Sequence, residues 1–189
     1  MADKIMVVRH AEKPDKADDT HGVDSEGQKN KKDLAPRGWQ RSGALVRFFV
    51  PFNGNFAHPV LATPTSVFAA SPEDETKSER SLLTVQGVAD LLKLKVDIKF
   101  SKGQERKLAD ALLATKDIVL VGWEHKAIID LANFILGNDR SSPQHWPDDR
   151  FDLVWIFDKN PGADLRAASA WKFTQVPQQV LPGDSLKVI

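Results

Sequence analysis

The sequence contains no cysteine and no tyrosine. Without cysteine the chain forms no disulfide, no thiolate zinc site and no Cys-dependent phosphatase centre, and without tyrosine it has no phenolate nucleophile. A nucleophile must therefore be Ser, Thr, Lys, His or a carboxylate. Net charge is also lacking, since 26 Lys and Arg residues balance 26 Asp and Glu residues. The chain therefore has no overall field that would attract nucleic acid or an anionic membrane.

Long apolar runs are absent as well. No run approaches the ~18 residues that a membrane span needs. The apolar segment 5–8 lies so close to Met1 that it leaves no room for a signal peptide. We therefore expect a cytoplasmic protein with no nucleic-acid and no membrane partner. At ~100–200 residues per domain, we expect a single domain over residues 1–189.

Short apolar runs alternate with helical patterns along most of the chain. This alternation predicts an α/β fold, a three-layer α/β/α sandwich with a largely parallel central sheet. The most hydrophobic run, 117–123, is predicted to be a central strand. The other predicted strands are 4–9, 66–70, 96–100, 152–157 and an edge strand at 170–176. The predicted helices are one from Pro36 that Pro51 ends, and 77–94, 104–114 and 126–136.

Two segments lack such patterns. The polar loop insertion at 12–33 is nearly devoid of apolar residues and dense in Lys and Asp. Loops longer than ~12–15 residues are usually functional lids or disordered segments. A solvated insertion and a lid both remain open here. At the other end, Pro177, Pro182 and Gly183 predict an irregular C-terminal tail at 177–189.

Histidines follow two of the predicted strands. His10, beside Arg9, comes after the first strand, and His125 comes after the central one. Ligands of such sheets bind outside the carboxyl ends of the strands. A single histidine there would most simply be a structural residue, but two at strand exits indicate a site. Arg9 disfavours a metal dication in that site and favours an anionic ligand.

Four motifs in order resemble the signatures of the histidine phosphatase (phosphoglycerate mutase-like) superfamily. Residues 7–12 resemble its Arg-His-Gly strand exit, and residues 34–38 resemble its Leu-Thr-x-x-Gly helix start. Residues 71–84 resemble its Ser-x-x-x-x-Arg-x-x-x-Thr segment with a longer gap, and residues 119–125 resemble the strand that carries the second histidine. The departures are Ala11 for Gly, Ala35 for Thr and Lys126 for the Gly that usually follows.

The resemblance implies a phosphoglycerate mutase-like fold and a metal-independent phosphohydrolase with no cofactor. Its substrate would be a phosphorylated small molecule or a phosphoprotein. His10 would carry a covalent phosphohistidine and His125 would donate to the phosphoryl oxygens. Arg9 and Arg80 would grip the phosphoryl group, with Ser71 also in the substrate site. The large insertion that covers the site in mutases is missing after residue 100, which favours a phosphatase.

The general acid is the least defined residue. Relatives usually supply a glutamate from the loop after the third strand, and Glu105 is the match by position, although its place in a predicted helix counts against it. Glu73 and Glu75 are preferred, because a loop beside Arg80 can reach the substrate oxygen. Glu124 is a further candidate, and it is equally open that no side chain serves.

Two other functions stay open. The same fold would also suit a non-catalytic phosphate- or phosphopeptide-binding module that keeps the arginine clamp but turns nothing over. A metal-dependent hydrolase with a histidine-based site is the third reading, and loss of activity on chelation would distinguish it from the other two.

Overall fold

A computed structural model of the protein describes residues 2–17, 19–73, 78–162 and 170–189. Within these residues the chain forms six strands and four helices. The strands are β1 (Lys4–Arg9), β2 (Ser66–Ala69), β3 (Val96–Asp97), β4 (Ile118–Trp123), β5 (Leu153–Lys159) and β6 (Trp171–Pro177). The helices are α1 (Pro36–Phe49), α2 (Arg80–Leu92), α3 (Glu105–Ala114) and α4 (His125–Leu136).

The strands form one sheet in the order β3-β2-β4-β1-β5-β6. The four strands from β3 to β1 pair in parallel, whereas β5 runs antiparallel to both β1 and β6. The predictions of a mostly parallel sheet and of a central β4 are confirmed, and β6 lies at an edge as expected. Within the described residues, no helix is long and apolar enough to cross a membrane.

The apolar side chains of β1 divide between two hydrophobic clusters. Ile5 and Val7 belong to a cluster that includes residues of α3 and α4, and Met6 and Val8 belong to one that includes residues of α1 and α2. Successive strand residues point to opposite faces of a sheet. The continuous apolar run of β1 therefore follows from packing on both of its faces.

Most element boundaries differ from the predictions by one to three residues. Helix α2 begins at Arg80, three residues later than predicted, and residue 77 lies outside the described residues. It ends where Lys93 adopts a left-handed conformation with φ 57°. Strand β3 is two residues long, and α4 begins at His125, where the Glu124 side chain accepts a hydrogen bond from the backbone N–H of Ala127.

The antiparallel β5 brings extra segments to the carboxyl ends of the parallel strands. Val8, near the end of β1, pairs with Val154 near the start of β5. The loop that precedes β5 therefore lies at the edge of the sheet where β1 ends. Leu153 pairs with Pro177, so the chain also leaves β6 at this edge.

The 12–33 segment contains no helix or strand among its described residues, only an isolated bridge between Val23 and Lys29. It is nevertheless fastened to the helices. The indole of Trp39 in α1 donates to the carbonyl of Val23 at 2.9 Å. Arg80 in α2 donates to the carbonyls of Lys31 and Asp33. The end of the segment therefore lies against the start of α2, whereas most of its described residues are exposed.

Candidate active site

The two histidines predicted from the strand exits lie together. Strands β1 and β4 are neighbours with Arg9 opposite Trp123, and the backbone N–H of His10 donates to the carbonyl of Trp123 at 2.9 Å. The ring centroids of His10 and His125 are 6.4 Å apart and the rings are nearly perpendicular. Both side chains are buried. The parallel register of the two strands therefore brings both imidazoles into one site.

His10 is held as a neutral imidazole in one tautomer. Its Nδ1 lies 2.8 Å from the carbonyl oxygen of Ala11. A carbonyl can only accept, so Nδ1 carries the proton and the lone pair is on Nε2. Burial is the main cause that lowers the pKa of His10 to about 3, and the charges of Arg9, Arg80 and His125 lower it further. The ring therefore presents an unprotonated Nε2 at neutral pH.

Arg9 is fully buried and is anchored through one of its nitrogens. Nη1 donates to the backbone carbonyls of Pro147, Asp148 and Arg150 at 3.1, 2.8 and 2.8 Å. The guanidinium carbon lies 3.8 Å from the centre of the Phe151 ring, which also lies against His10. The segment 147–151 therefore encloses Arg9 at the carboxyl edge of the sheet.

The remaining nitrogens of Arg9 are buried donors. Neither Nε nor Nη2 has a hydrogen-bond partner within the described parts of the chain. Burial lowers the pKa of Arg9 to about 10, so the side chain is still charged at neutral pH. Leaving a buried donor unpaired costs about 1–3 kcal/mol, and more for a charged group. An anion beside His10 would satisfy these donors.

His125 occupies the first turn of α4 between two carboxylates. Its Nε2 lies 2.6 Å from Oδ1 of Asp148. Its Nδ1 lies 3.0 Å from Oε1 of Glu124 in an ion-pair contact without hydrogen-bond geometry. Each ring nitrogen therefore faces a carboxylate oxygen. The helix N-terminus adds backbone N–H groups that favour an anion here.

The two carboxylates stay ionised. Burial raises the pKa of Glu124, but the close contact with the imidazole of His125 and the charge of Lys102 outweigh it and bring the pKa to about 2. A hydrogen bond from His125 lowers the pKa of Asp148. A carboxylate with so low a pKa is a poor proton donor, so Glu124 does not suit the role of general acid.

Arg80 lies near His10, since its charge lowers the pKa of that histidine. Its donors, however, face the 12–33 segment. Nε donates to the carbonyl of Asp33 at 3.1 Å and Nη2 donates to the carbonyl of Lys31 at 2.7 Å. Burial lowers the pKa of Arg80. Arg80, which we predicted to grip the phosphoryl group, therefore lies near His10 and also holds the end of the 12–33 segment against α2.

The segment after β2 holds the remaining predicted residues. Ser71 is buried, and its backbone N–H donates to the carbonyl of Phe100 at 2.8 Å. Its Oγ accepts from the backbone N–H of Glu73 at 3.2 Å, which shapes the turn. The Glu73 residue is exposed. Glu75 lies outside the described residues.

Glu105 has a different environment from the one a general acid needs. It is buried in the first turn of α3. Its Oε1 accepts hydrogen bonds from the indole of Trp123 at 3.1 Å and from the backbone N–H of Gly103 at 2.9 Å. These bonds satisfy the buried carboxylate. Glu105 also lies in a helix, as predicted, and this placement counts against a role as the general acid. Trp123 and Trp146 are buried in the core.

A buried ion-pair network beside the site was not found from the sequence. Arg41 of α1 is 2% exposed and donates to Glu12 and Asp184 at 2.8 and 2.7 Å. It also donates to Gln178 at 2.9 Å. Arg37 donates to the same Glu12 at 3.2 Å. The predicted irregular tail contains neither helix nor strand after Pro177, where β6 ends, and is fixed to α1 through Gln178 and Asp184.

A cleft of about 780 Å³ opens beside this network. Its lining residues come from the exit of β1, from α1, from the loop before β5 and from the segment after β6; they include Glu12, Arg37, Asp148, Phe151 and Asp184. Asp148 contacts His125 and Phe151 contacts His10, so the cleft adjoins the paired histidines. Among the described residues, no group of three or more histidine and carboxylate side chains is arranged to hold a metal ion.

The chain has the fold of the histidine phosphatase superfamily. The mycobacterial glucosyl-3-phosphoglycerate phosphatase solved with VO3 aligns with a TM-score of 0.55 at 11% identity, over 92% of this chain and 97% of that chain. A candidate alpha-ribazole-5'-P phosphatase from Escherichia coli aligns with a TM-score of 0.52 at 14% identity, over all of both chains. A candidate phosphohistidine phosphatase SixA from Agrobacterium tumefaciens aligns with a TM-score of 0.53 at 12% identity, over 92% of this chain and 96% of that chain. No family model and no curated protein sequence matches the chain.

Proposed function

We propose that the protein is a metal-independent phosphohydrolase that acts on a phosphomonoester or a phosphoprotein through a phosphohistidine at His10. The observation that carries the proposal is the state of His10. Its Nδ1–H is bonded to the carbonyl of Ala11, which leaves the lone pair on Nε2, and the adjacent Arg9 has two buried donors that no described residue satisfies. A neutral nucleophile next to cationic donors is the arrangement that phosphoryl transfer requires.

In the first step, Nε2 of His10 attacks phosphorus in line with the leaving oxygen. The N–P bond forms while the P–O bond to the leaving group breaks. The ring becomes cationic, and the Nδ1–H contact to Ala11 stabilises that charge. Arg9, Arg80 and His125 donate to the non-bridging oxygens, whose charge is greatest during the transfer.

The leaving oxygen needs a proton if it would otherwise depart as an alkoxide. We assign this role to Glu73 or Glu75 in the loop after β2. Ser71 supports that loop through its bond to the backbone of Glu73. In the second step, water attacks phosphorus, the N–P bond breaks, and the glutamate that protonated the leaving oxygen takes up a proton from the water. Inorganic phosphate leaves and His10 returns to its neutral form.

The cleft is the proposed binding site for the part of the substrate beyond the phosphoryl group. We further infer that α1 and α2 cover one face of the sheet and α3 and α4 the other, as in the three-layer phosphoglycerate mutase-like sandwich. The two hydrophobic clusters, each supplied by one pair of helices, support this arrangement. We regard residues 1–189 as one such domain.

The test is rapid quench of the protein with ³²P-labelled nitrophenyl phosphate. We expect a phosphoprotein that is labile in acid and stable in base, and we expect His10→Asn to abolish both it and turnover. An acid-stable phosphoester would assign the nucleophile to a serine or threonine instead. Lys4→Gln, at the opposite end of β1, is a control that should still form the phosphoprotein. Loss of activity with EDTA would favour a metal-dependent hydrolase.

A non-catalytic phosphate-binding module is the second candidate. The engagement of Arg80 with the carbonyls of Lys31 and Asp33 favours it, because these donors are then not on a phosphoryl group. This function predicts stoichiometric binding of inorganic phosphate by calorimetry, without turnover of nitrophenyl phosphate. Release of phosphate in more than stoichiometric amounts would exclude it.

A further inference from the structure

Asp148 lies where the mechanism above needs a substrate oxygen. Its Oδ1 is 2.6 Å from Nε2 of His125, the nitrogen that would donate to a non-bridging oxygen of the phosphoryl group. A carboxylate and a phosphoryl group offer the same kind of anionic acceptor. One N–H cannot donate fully to both, so a bound phosphoryl group and Asp148 exclude each other at this position.

We propose that Asp148 is an internal competitor for the phosphoryl site, whose carboxylate must leave His125 before a phosphoryl oxygen can bind there. This inference rests on the proposed role of the site, whether catalytic or phosphate-binding. It makes Asp148 a residue that sets the affinity for phosphate. It also explains why a carboxylate of the same charge as the ligand is found beside Arg9 and His125.

The backbone of Asp148 is held in place, whereas its side chain is exposed. The backbone around Asp148 is held by Nη1 of Arg9, which donates to the carbonyls on both sides of it and to its own. The indole of Trp146 also donates to the carbonyl of Arg150 at 2.8 Å. The Asp148 side chain is 75% exposed, whereas that of His125 is 5% exposed. Rotation of the Asp148 side chain into the cleft therefore frees Nε2 without opening the loop.

Two of the groups that act on Asp148, His125 and Arg9, are also proposed to bind the phosphoryl group. His125, Lys126 and Arg9 all lower its pKa. A phosphoryl dianion carries nearly two charges and three acceptor oxygens, against one charge on the carboxylate. It also reaches donors of Arg9 that no described residue satisfies. The dianion therefore displaces the Asp148 carboxylate from His125, and the contact between Asp148 and His125 is broken.

Calorimetry with inorganic phosphate tests the competition on the intact protein. We expect Asp148→Asn and Asp148→Ala to bind phosphate about two- to fivefold more tightly than the wild type, the range for a solvent-screened ion pair. Asp149→Asn is the matched control. It removes one negative charge from the same loop, and we expect at most half of that gain. Equal gains for the two residues, or weaker binding to Asp148→Asn, would overturn the proposal.

A kinetic arm distinguishes competition from acid catalysis. If Asp148 protonated the leaving group, Asp148→Asn would slow alkyl phosphates far more than nitrophenyl phosphate, and that selective loss would also overturn the proposal. If the wild type turns over substrate and Asp148→Asn binds phosphate with unchanged affinity, the competitor role of Asp148 is refuted and the phosphohydrolase is not. Tighter phosphate binding in a protein that never turns over would instead support the competitor and refute the phosphohydrolase.

A crystal structure of the wild type with vanadate provides a test that needs no variant. We expect a vanadate oxygen within hydrogen-bond distance of His125 Nε2 and the Asp148 carboxylate turned toward the cleft. Vanadate bound to Arg9 with the contact between Asp148 and His125 intact would overturn the proposal.

Discussion

The hydroxyl of Thr84 joins helix α2 to the exit of β1, because its Oγ1 accepts the backbone N–H of Ala11 at 2.8 Å. The same hydroxyl donates to the carbonyl of Arg80 at 2.7 Å. Thr84 is fully buried. One side chain therefore sets the position of the helix that carries Arg80 relative to the loop that carries His10. This contact gives a physical reason for a threonine four residues after the arginine in that motif.

Replacement of Thr84 by valine should destabilise the protein. The backbone N–H of Ala11 would be buried without an acceptor, which costs about 1–3 kcal/mol. Urea denaturation should show this loss of unfolding free energy, together with reduced turnover. Thr84→Ser keeps the hydroxyl and should retain most of both. Equal losses in the two variants would mean that the methyl packing matters and the hydrogen bond does not.

Arg80→Lys should be almost as damaging to turnover as Arg80→Ala, because an ammonium cannot reproduce the fork of a guanidinium. Loss of one donor at a comparable anion-stabilising site costs about 2.7–4 kcal/mol, or roughly 10²–10³ in kcat. Steady-state kinetics measures this, with Arg47→Lys as a control outside the site. Near-normal turnover in Arg80→Ala would leave Arg80 with the single role of fastening the 12–33 segment.

Replacement of the general acid should slow the reaction to an extent that depends on the leaving group of the substrate. Glu73→Gln or Glu75→Gln is expected to lose far more rate on an alkyl phosphate than on nitrophenyl phosphate, whose leaving group needs little protonation. The ratio of kcat/KM values for the two substrates is the quantity to compare. Asp139→Asn, an exposed carboxylate in the turn after α4, serves as the control. If both substrates slow equally in both variants, neither glutamate is the acid.

Acid should destabilise the fold through His10. Its folded pKa is about 3, below the ordinary value of 6.5. Below about pH 6.5 the unfolded chain binds a proton at this histidine, whereas the folded protein binds it only near pH 3. The contribution of neutral His10 to the free energy of unfolding is therefore complete above about pH 6.5 and is lost progressively as the pH falls toward about 3. Between about pH 7.5 and about pH 5 the loss amounts to about 2 kcal/mol. Urea denaturation of His10→Asn, which lacks the group, should show a smaller loss over the same interval; parallel losses would contradict the neutral, buried state of His10.

Gly38 tests the packing of α1 on the loop that follows β1. A Cβ at this position would lie 2.4 Å from the backbone oxygen of Glu12. Gly38→Ala should therefore displace Glu12 and destabilise the protein by about 1–3 kcal/mol. Gly43, also in α1, has no atom within 4 Å of a built Cβ. Gly43→Ala should instead stabilise the helix by about 0.5–1 kcal/mol, and a similar loss in both variants would refute the packing argument.

Much of the site could be predicted from the sequence because parallel strands end at one edge. His10 and His125 each follow a strand directly, and adjacency of β1 and β4 suffices to bring them together. Ser71 follows β2, whose last residues pair with β4 next to Gly122. These positions depend on local sequence and on the order of neighbouring strands, and both leave a visible pattern.

Asp148 and Phe151 could not be found in the same way. The sequence indicates the residues that follow parallel strands as site candidates, and these two residues precede a strand. They reach the carboxyl edge because β5 runs antiparallel to β1, and the apolar pattern of β5 carries no information on its direction. The partners of Arg41 were missed for a related reason: Asp184 follows the edge strand β6 in a segment without periodicity, and the pairing spans 143 positions in the chain.

The bond between Arg41 and Asp184 has a consequence for biosynthesis. Chains emerge from the ribosome N-terminus first, so α1 is available long before its buried counter-ion. Until Asp184 arrives, Glu12 is the one carboxylate among the described residues that pairs with the guanidinium of Arg41, and a buried charge that is incompletely paired is costly. We therefore expect the rim of the cleft to remain unformed on nascent chains that already hold both histidines. Competence to bind phosphate would then arise only after Asp184 has been added to the chain.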